Sequence, residues 1–562
     1  MSRKRLLVLL GGVALAAVIA AVLLVPGVAE RVMPLPLLAA FSVSRMVAAY
    51  LLSLVFAVAY GYTAAKNRRA GVFMLPLLDI LQSVPILGFF PAVLVFFVAT
   101  FSGHPVGLEI AVVFLIFTSM AWNMAFGVYE SLTTIPQDLQ TAADSFGIKG
   151  WQRFRLLEFP AAVPKLVYNS ILSWTNGWFF LVASEIFTAF GATYTRPGLG
   201  GFIATAGVAG DTTSMLLGLS VLVVVVVALD AFLWQPLSVW SERFRMEVTG
   251  REVPRVPGLH ERFRWLPTFP GVRRFVLRMG KPVTRAYHSA SLRLDRTYTE
   301  HPKIVPTVRT VDLGMFLVVF VIVVGTGLIG LVRLLFAPLP AETGEIPVAV
   351  LMSFSRLLLA YALAVLWTIP VAAWIGRSAK VARYVTPVVE VVASVPATAL
   401  MPVIIGFSIF VAASFHLEAE LAAVLVALFS MQWYLLFNLI AGVRSIPDDL
   451  EDAAHSFGLR GRSYLKRVLL PAILPSLITG SITAWGAGWN ALIVSEYMHF
   501  GSRIYQVQGI GSLLDRATFG LPPSEEMILL TIFAMVIVVL AMNKLVWRPL
   551  QRTVNARFRL EV

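Results

Sequence analysis

Stretches of roughly 20 uninterrupted apolar residues, each long enough to cross about 30 Å of hydrocarbon, recur along the whole of this 562-residue chain. A backbone inside lipid has no water to bond to, so such stretches enter a bilayer as helices that satisfy their own amide groups. Twelve can be placed: near 6–28, 44–64, 74–100, 107–130, 160–189 and 213–236, then near 314–336, 350–375, 385–412, 417–441, 471–498 and 525–547. With 58% hydrophobic and only 14% charged residues, the composition excludes a soluble domain and predicts an all-α polytopic membrane protein. A signal peptide is the rival for the first stretch, because MSRKR precedes it. That run is too long, and no small-residue cleavage site with a soluble domain follows.

Lysine and arginine set the expected orientation. MSRKR, KNRRA at 66–70, the loop at 131–159, the stretch 239–310, GRSAKVAR at 376–383, the loop at 443–470 and the C-terminal tail are basic. The segments near 102–107, 338–346 and 414–420 carry neither residue. With twelve spans the two groups alternate, which places both termini in the cytoplasm. The formal charge of +14 is then orientation charge, and no nucleic-acid partner is implied.

The second half repeats the first at a constant offset of 311: Ser44-Arg45 matches Ser355-Arg356, Ser83-Val84-Pro85 matches Ser394-Val395-Pro396, Trp178 matches Trp489, Ser184-Glu185 matches Ser495-Glu496, and Gly198 and Gly200 match Gly509 and Gly511. A repeat this long without a net insertion is a duplicated unit. Six spans per unit make the two repeats parallel, related by an axis along the membrane normal. Residues 1–247 form the first unit, 248–310 a basic linker and 311–562 the second unit. In the linker, arginines interleaved with Phe, Trp, Leu and Tyr fit either a helix lying on an anionic membrane surface or a solvated basic connection.

One repeated segment is polar: DLQTAADSFGIKGWQRFRLLEFP at 138–160 and DLEDAAHSFGLRGRSYLKRVLLP at 449–471. Thr134 and Ser445 are in place to cap a short helix, with Pro136 and Pro447 in its first turn. Leu139, Ala142, Ala143 and Phe146 recur at i, i+3, i+4 and i+7, as do Leu450, Ala453, Ala454 and Phe457, giving one apolar face. Gly147 and Gly458 then stop the helix where a left-handed residue is easiest. Such a helix either covers the ends of its own spans or is a knob that a partner grips. Two equivalent knobs suit a partner that is itself a dimer.

Asp452-Ala453-Ala454, Gly458, nine residues, then Val468-Leu469-Leu470-Pro471 resembles the E-A-A-x3-G-x9-I-x-L-P loop of binding-protein-dependent ABC importer permeases, and Thr141-Ala142-Ala143, Gly147 and Leu157-Glu158-Phe159-Pro160 is similar. The resemblance covers both units. The Ser-Val-Pro span, the Trp-rich span ending in Ser-Glu, and the later GLG or GIG look most like the nitrate, sulfonate, taurine and bicarbonate permeases. It implies a type I importer transmembrane fold whose two short helices dock on two ATP-binding-cassette ATPase subunits. By that likeness Ala142, Ala143, Gly147, Ala453, Ala454 and Gly458 pack closely on the ATPase, with Thr141, Asp144, Glu451 and Asp452 beside them. Asp452 stands where the family has glutamate, and Thr141 carries no charge, so the grip is unequal unless Gln140 or Asp144 compensates. It also implies an extracytoplasmic substrate-binding protein and a small solute, with an oxyanion such as nitrate, sulfonate or bicarbonate as the family-weighted expectation.

No G-x-x-x-x-G-K-[ST] phosphate loop occurs, so the chain is expected to be no enzyme and to hold no cofactor, with magnesium-ATP bound by the partners. For the translocation path, polar groups at membrane depth mark the residues to examine: Glu185 and Glu496, beside Asn176, Asn490, Trp178 and Trp489, as outer-gate or inter-half residues. Pro85 and Pro396 add interrupted helices that border a cavity or merely kink. An ion-coupled secondary transporter is the alternative, but it has no use for a duplicated cytoplasmic knob.

Overall fold

The structure, a computed structural model, describes residues 28–83, 85–101, 104–190, 197–244, 339–500, 503–520 and 524–558. The expected spans at 314–336 and at 6–28 (but for its last residue), and the linker at 248–310, lie outside the described residues. In the first half, helices α1 (Leu35–Lys66), α2 (Arg68–Ser83), α3 (Ile86–Thr100), α4 (Pro105–Thr133), α5 (Gln137–Ser145), α6 (Phe159–Phe190), α7 (Leu199–Val208) and α8 (Thr212–Leu229) follow one another. The second half gives α9 (Ile346–Gly376), α10 (Ala379–Ala393), α11 (Met401–Ala412), α12 (Glu418–Arg444), α13 (Asp448–Ser456), α14 (Leu470–Ser495), α15 (Ile510–Phe519) and α16 (Glu525–Met542). Here α5 and α13, and likewise α7 and α15, begin and end at residues 311 apart.

Seven helices among the described residues are long and apolar enough to cross a membrane. The stretches expected as single spans at 74–100 and 385–412 are not continuous. Each is two shorter helices, because Pro85 sits extended at φ −60° and ψ 119° before α3, and Pro396 lies in the non-helical link between α10 and α11. Proline has no amide hydrogen to continue a helix, and it pushes the preceding residue out of the helical region. Proline also explains the wide π-helical turns at Phe154–Glu158 and Leu465–Leu469. They immediately precede Pro160 and Pro471, whose rings crowd the carbonyl four residues back.

In each half the first helix packs on the fourth-span helix, α1 on α4 and α9 on α12, and that helix packs on the long helix α6 or α14. The two larger apolar cores each take side chains from the other half: Ala399 enters the first core, while Ile86, Leu87, Phe90, Phe180 and Ala183 enter the second. Large apolar side chains such as Phe73, Phe96, Phe232, Leu366 and Phe410 point outward, the surface expected against lipid tails.

The second half departs from the first after its long helix. Tyr497–Phe500 (β1) pairs antiparallel with Arg503–Gln506 (β2), and Tyr497 donates to Asp515 on α15. Burial pushes the Asp515 carboxyl up from 3.8 to about 7 even though that donor favours the ion. A carboxyl raised on folding stabilises most below its ordinary pKa and loses that contribution as pH rises to about 7. Thermal unfolding of the purified protein is therefore expected at higher temperature at about pH 5 than at about pH 8. Asp515→Asn is expected to flatten that difference.

Candidate functional site

The two polar helices protrude. Pro136 precedes α5 with extended backbone and no side-chain cap. Contrary to the expectation from sequence, Thr134 and Ser445 do not cap the short helices but close the helices before them: Thr134 donates to the Glu130 carbonyl and Ser445 to the Gly442 carbonyl. The proline at the next step imposes an extended residue, which leaves the hydroxyl beside the helix already ending. The glycine stops do form. Gly147 and Gly458 lie at φ +67° and +69°, and Ile148 N–H bonds the Ala143 carbonyl as Leu459 N–H bonds that of Ala454, both at 2.9 Å.

Only the innermost alanines are packed, Ala143 at 7% and Ala454 at 3% exposure. Phe146 and Phe457 are 80% and 83% exposed, and Leu139, Ala142, Leu450 and Ala453 also face outward. The apolar face is therefore not spent on the helix's own bundle. Around it Thr141, Asp144 and Asp452 are exposed and Gln140 and Glu451 half-buried, so the second knob presents more acid than the first.

At the opposite end of the long helices lies a network whose members recur at the same offset. Arg45, 4% exposed, donates to Glu185 at 2.6 Å, to both oxygens of Glu109 at 2.8 Å and to the Pro197 carbonyl at 2.9 Å. Glu185 also accepts from Ser42 at 2.8 Å and from the Gly200 amide at 2.8 Å, while Ser42 accepts from the Leu199 amide at 3.0 Å. In the second half Arg356 reaches Glu496 at 2.9 Å, Glu420 at 2.6 and 2.7 Å and the Gln508 carbonyl at 2.8 Å. Ser353 and the Gly511 and Ile510 amides complete the copy.

Glu185 and Glu496 are both fully buried, and these partners lie within their own halves. In these contacts they hold the N-termini of α7 and α15 against α6 and α14, where their depth had suggested an outer-gate or inter-half role. The glycines of GLG and GIG are required by that approach, since a Cβ on Gly198 or Gly509 would sit 2.2 Å from the carboxylate. Sequence reasoning passed over Arg45 and Arg356, although an arginine within an apolar span in both copies was the available signal. Trp178 and Trp489, 0% and 2% exposed, are packed in the two cores.

Besides the shared apolar cores, uncharged polar contacts join the halves among the described residues. Asn490 accepts from the Leu87 amide at 3.1 Å, and Thr398 donates to the Phe179 carbonyl at 3.1 Å. The two bonds use different atoms but join equivalent positions, since Leu87 and Thr398, like Phe179 and Asn490, are 311 apart. Both arise just after the breaks at Pro85 and Pro396. Tyr434 donates to Asn176 at 3.4 Å, so Asn176 and Asn490 do lie between the halves.

The family model described as binding-protein-dependent transport system inner membrane component matches twice, over residues 49–233 and 364–558. Among curated proteins, the nitrate import permease protein of Synechococcus elongatus is 28% identical over 198 residues, 35% of this chain and 66% of that protein. The taurine transport system permease protein of Escherichia coli K12 is 30% identical over 166 residues, 29% and 55% of the two chains. The bicarbonate transport system permease protein of Synechococcus elongatus is 27% identical over 160 residues, 28% and 52%. The chain thus spans about half to two thirds of the length of these relatives. Matched by the family model across most of both repeats, the chain belongs to the family of binding-protein-dependent transport system inner membrane components.

Proposed function

We propose that this chain is the fused permease of an ATP-driven importer. Two ATP-binding-cassette subunits grip α5 and α13 from the cytoplasm and hold the magnesium-ATP, and an extracytoplasmic binding protein delivers solute to the other face. Closure of the ATPase pair draws the knobs together and swings the halves about the contacts of Asn176, Asn490, Leu87 and Thr398, a rigid-body form of alternating access. The observation that carries this is the pair of exposed phenylalanines, Phe146 and Phe457, each on a capped helix whose apolar face its own bundle leaves open.

A small oxyanion, as in the names of the nitrate, taurine and bicarbonate relatives, is the proposed cargo. Two features support it. Glu185 and Glu496 are withdrawn into arginine pairs, and the hydrogen bonds described between the halves are made by amides and hydroxyls, uncharged groups able to donate to an anion.

Phe146→Asp together with Phe457→Asp tests the handles without touching a core. The folded protein is expected to accumulate normally, to lose its ATPase on affinity purification from native membranes, and to lose ATP-dependent uptake of labelled nitrate, taurine or bicarbonate. Full uptake without a bound ATPase would sink the proposal.

A further inference from the structure

Each knob is joined to the long helix behind it through a loose link. Gly147 and Gly150, at φ +67° and +55°, lie between α5 and the base of α6; Gly458 and Gly461, at +69° and +53°, lie between α13 and the base of α14. Glycine turns of this kind resist rotation weakly, so backbone alone would let a pulled knob swivel. In both halves side chains span the link, but not the same ones.

In the first half Arg153, at the base of the long helix, pairs with Asp144 on the knob and reaches Glu158 at 3.4 Å, and Glu158 pairs with Lys66, the last residue of α1. In the second half the residue equivalent to Arg153 is Tyr464, which donates to Glu451 on the knob at 2.9 Å. The residue equivalent to Lys66 is Arg377, whose guanidinium lies 4.7 Å from the Tyr464 ring centre. Leu469 stands where Glu158 stands, and both are buried. So each copy ties together the same three parts, the knob, the base of the long helix and the end of the first helix. One does it with ion pairs and the other with a phenol, a carboxylate and a cation on a ring.

Conserved geometry with exchanged chemistry is what a mechanical requirement leaves behind. We infer that Arg153 and Tyr464 are the positioning residues that carry a knob's movement across its glycine link into the spans. The inference rests on the knobs being ATPase handles. It adds that the two handles respond differently to salt: the Arg153–Asp144 pair is partly exposed, at 21% and 58%, and is screened, whereas Tyr464 is 4% exposed and is not.

The chain contains no cysteine, so single labels can be placed without removing any. Spin labels at Val208→Cys and Phe519→Cys, the equivalent last residues of α7 and α15, report the separation of the halves far from the knobs. In the full complex with its ATPase, trapping with ATP and vanadate is expected to change that distance. Arg153→Ala is expected to leave the ATPase bound, because Phe146 is untouched, yet to shrink the population that responds by at least about fivefold. Tyr464→Phe, which keeps the ring and removes only the hydroxyl, is expected to weaken the response in the same direction. Installing the second copy's latch in the first, as Arg153→Tyr with Gln140→Glu, Lys66→Arg and Glu158→Leu, is expected to restore the response. That variant should also respond less to added salt than the unmodified chain.

An unchanged response in Arg153→Ala overturns the inference while leaving the handles intact. Loss of the ATPase from Arg153→Ala also overturns it, since Arg153 would then be a docking residue, as does failure of the transplanted latch to restore movement. The handle assignment fails on a different result, an ATPase that stays bound to the Phe146→Asp, Phe457→Asp variant.

Discussion

Glu185→Ala is expected to cost about 3–5 kcal/mol, enough to deplete the folded protein from membranes. The substitution leaves Arg45 buried at 4% exposure with Glu109 as its remaining carboxylate, and strips the Gly200 amide and the Ser42 hydroxyl of their acceptor. An arginine stranded in a water-poor interior keeps its charge, so its desolvation is no longer offset. Glu496→Ala is expected to do the same to the second half through Arg356, Ser353 and Gly511. The informative comparison is Arg45→Met with Glu185→Met, because replacing a whole buried pair by apolar groups is often close to neutral. Glu109, about one third exposed, can then be hydrated. Thermal unfolding of purified protein should place the double variant well above Glu185→Ala. If the single variant matches the parent, the network is not what pins α7 to α6.

Gly511→Ala is expected to destabilise the second half by about 2–3 kcal/mol, whereas Gly458→Ala costs about 1–2 kcal/mol. The two glycines are needed for different reasons. A Cβ on Gly511 would lie 2.4 Å from the Ile493 carbonyl oxygen, a backbone atom that cannot step aside, so α15 must lift. Lifting it stretches the 2.7 Å bond from the Gly511 amide to Glu496 and the 2.9 Å bond from the Ile510 amide to Ser353. A Cβ on Gly458 meets nothing within 4 Å, and only its φ of +69° penalises a side chain there. Chemical denaturation of both variants checks the ranking. Equal losses would mean that the close approach of α15 to α14 is slack.

The spans that fall among the described residues and carry no proline break were readable because lipid imposes one rule on a backbone, and a run of apolar residues long enough to cross obeys it. The duplication was readable from identity alone. Pro85 and Pro396 announced helix breaks, since proline acts on its own chain whatever surrounds it. Glycine stops at Gly147 and Gly458 were equally local. The caps misled for a local reason too: Thr134 and Ser445 lie between two helices, and sequence does not say which one a hydroxyl serves.

Roles that depend on a distant partner stayed hidden. Glu185 and Glu496 looked like path residues because a carboxylate at membrane depth is conspicuous, while the arginines that neutralise them lie 140 residues away in the chain. Trp178 and Trp489 sit one helical step from residues that do face the other half, and only packing distinguishes the two faces. The unlike bridges of Arg153 and Tyr464 needed three helix ends brought together before either residue had a meaning. Sequence by itself determined the solvent of this protein, its repeats, its breaks and its two knobs, because each follows from forces acting within about one turn or one span. The tertiary structure decided which polar groups are buried structure and which remain at the seam between the halves, because a buried charge takes its role from whatever neutralises it.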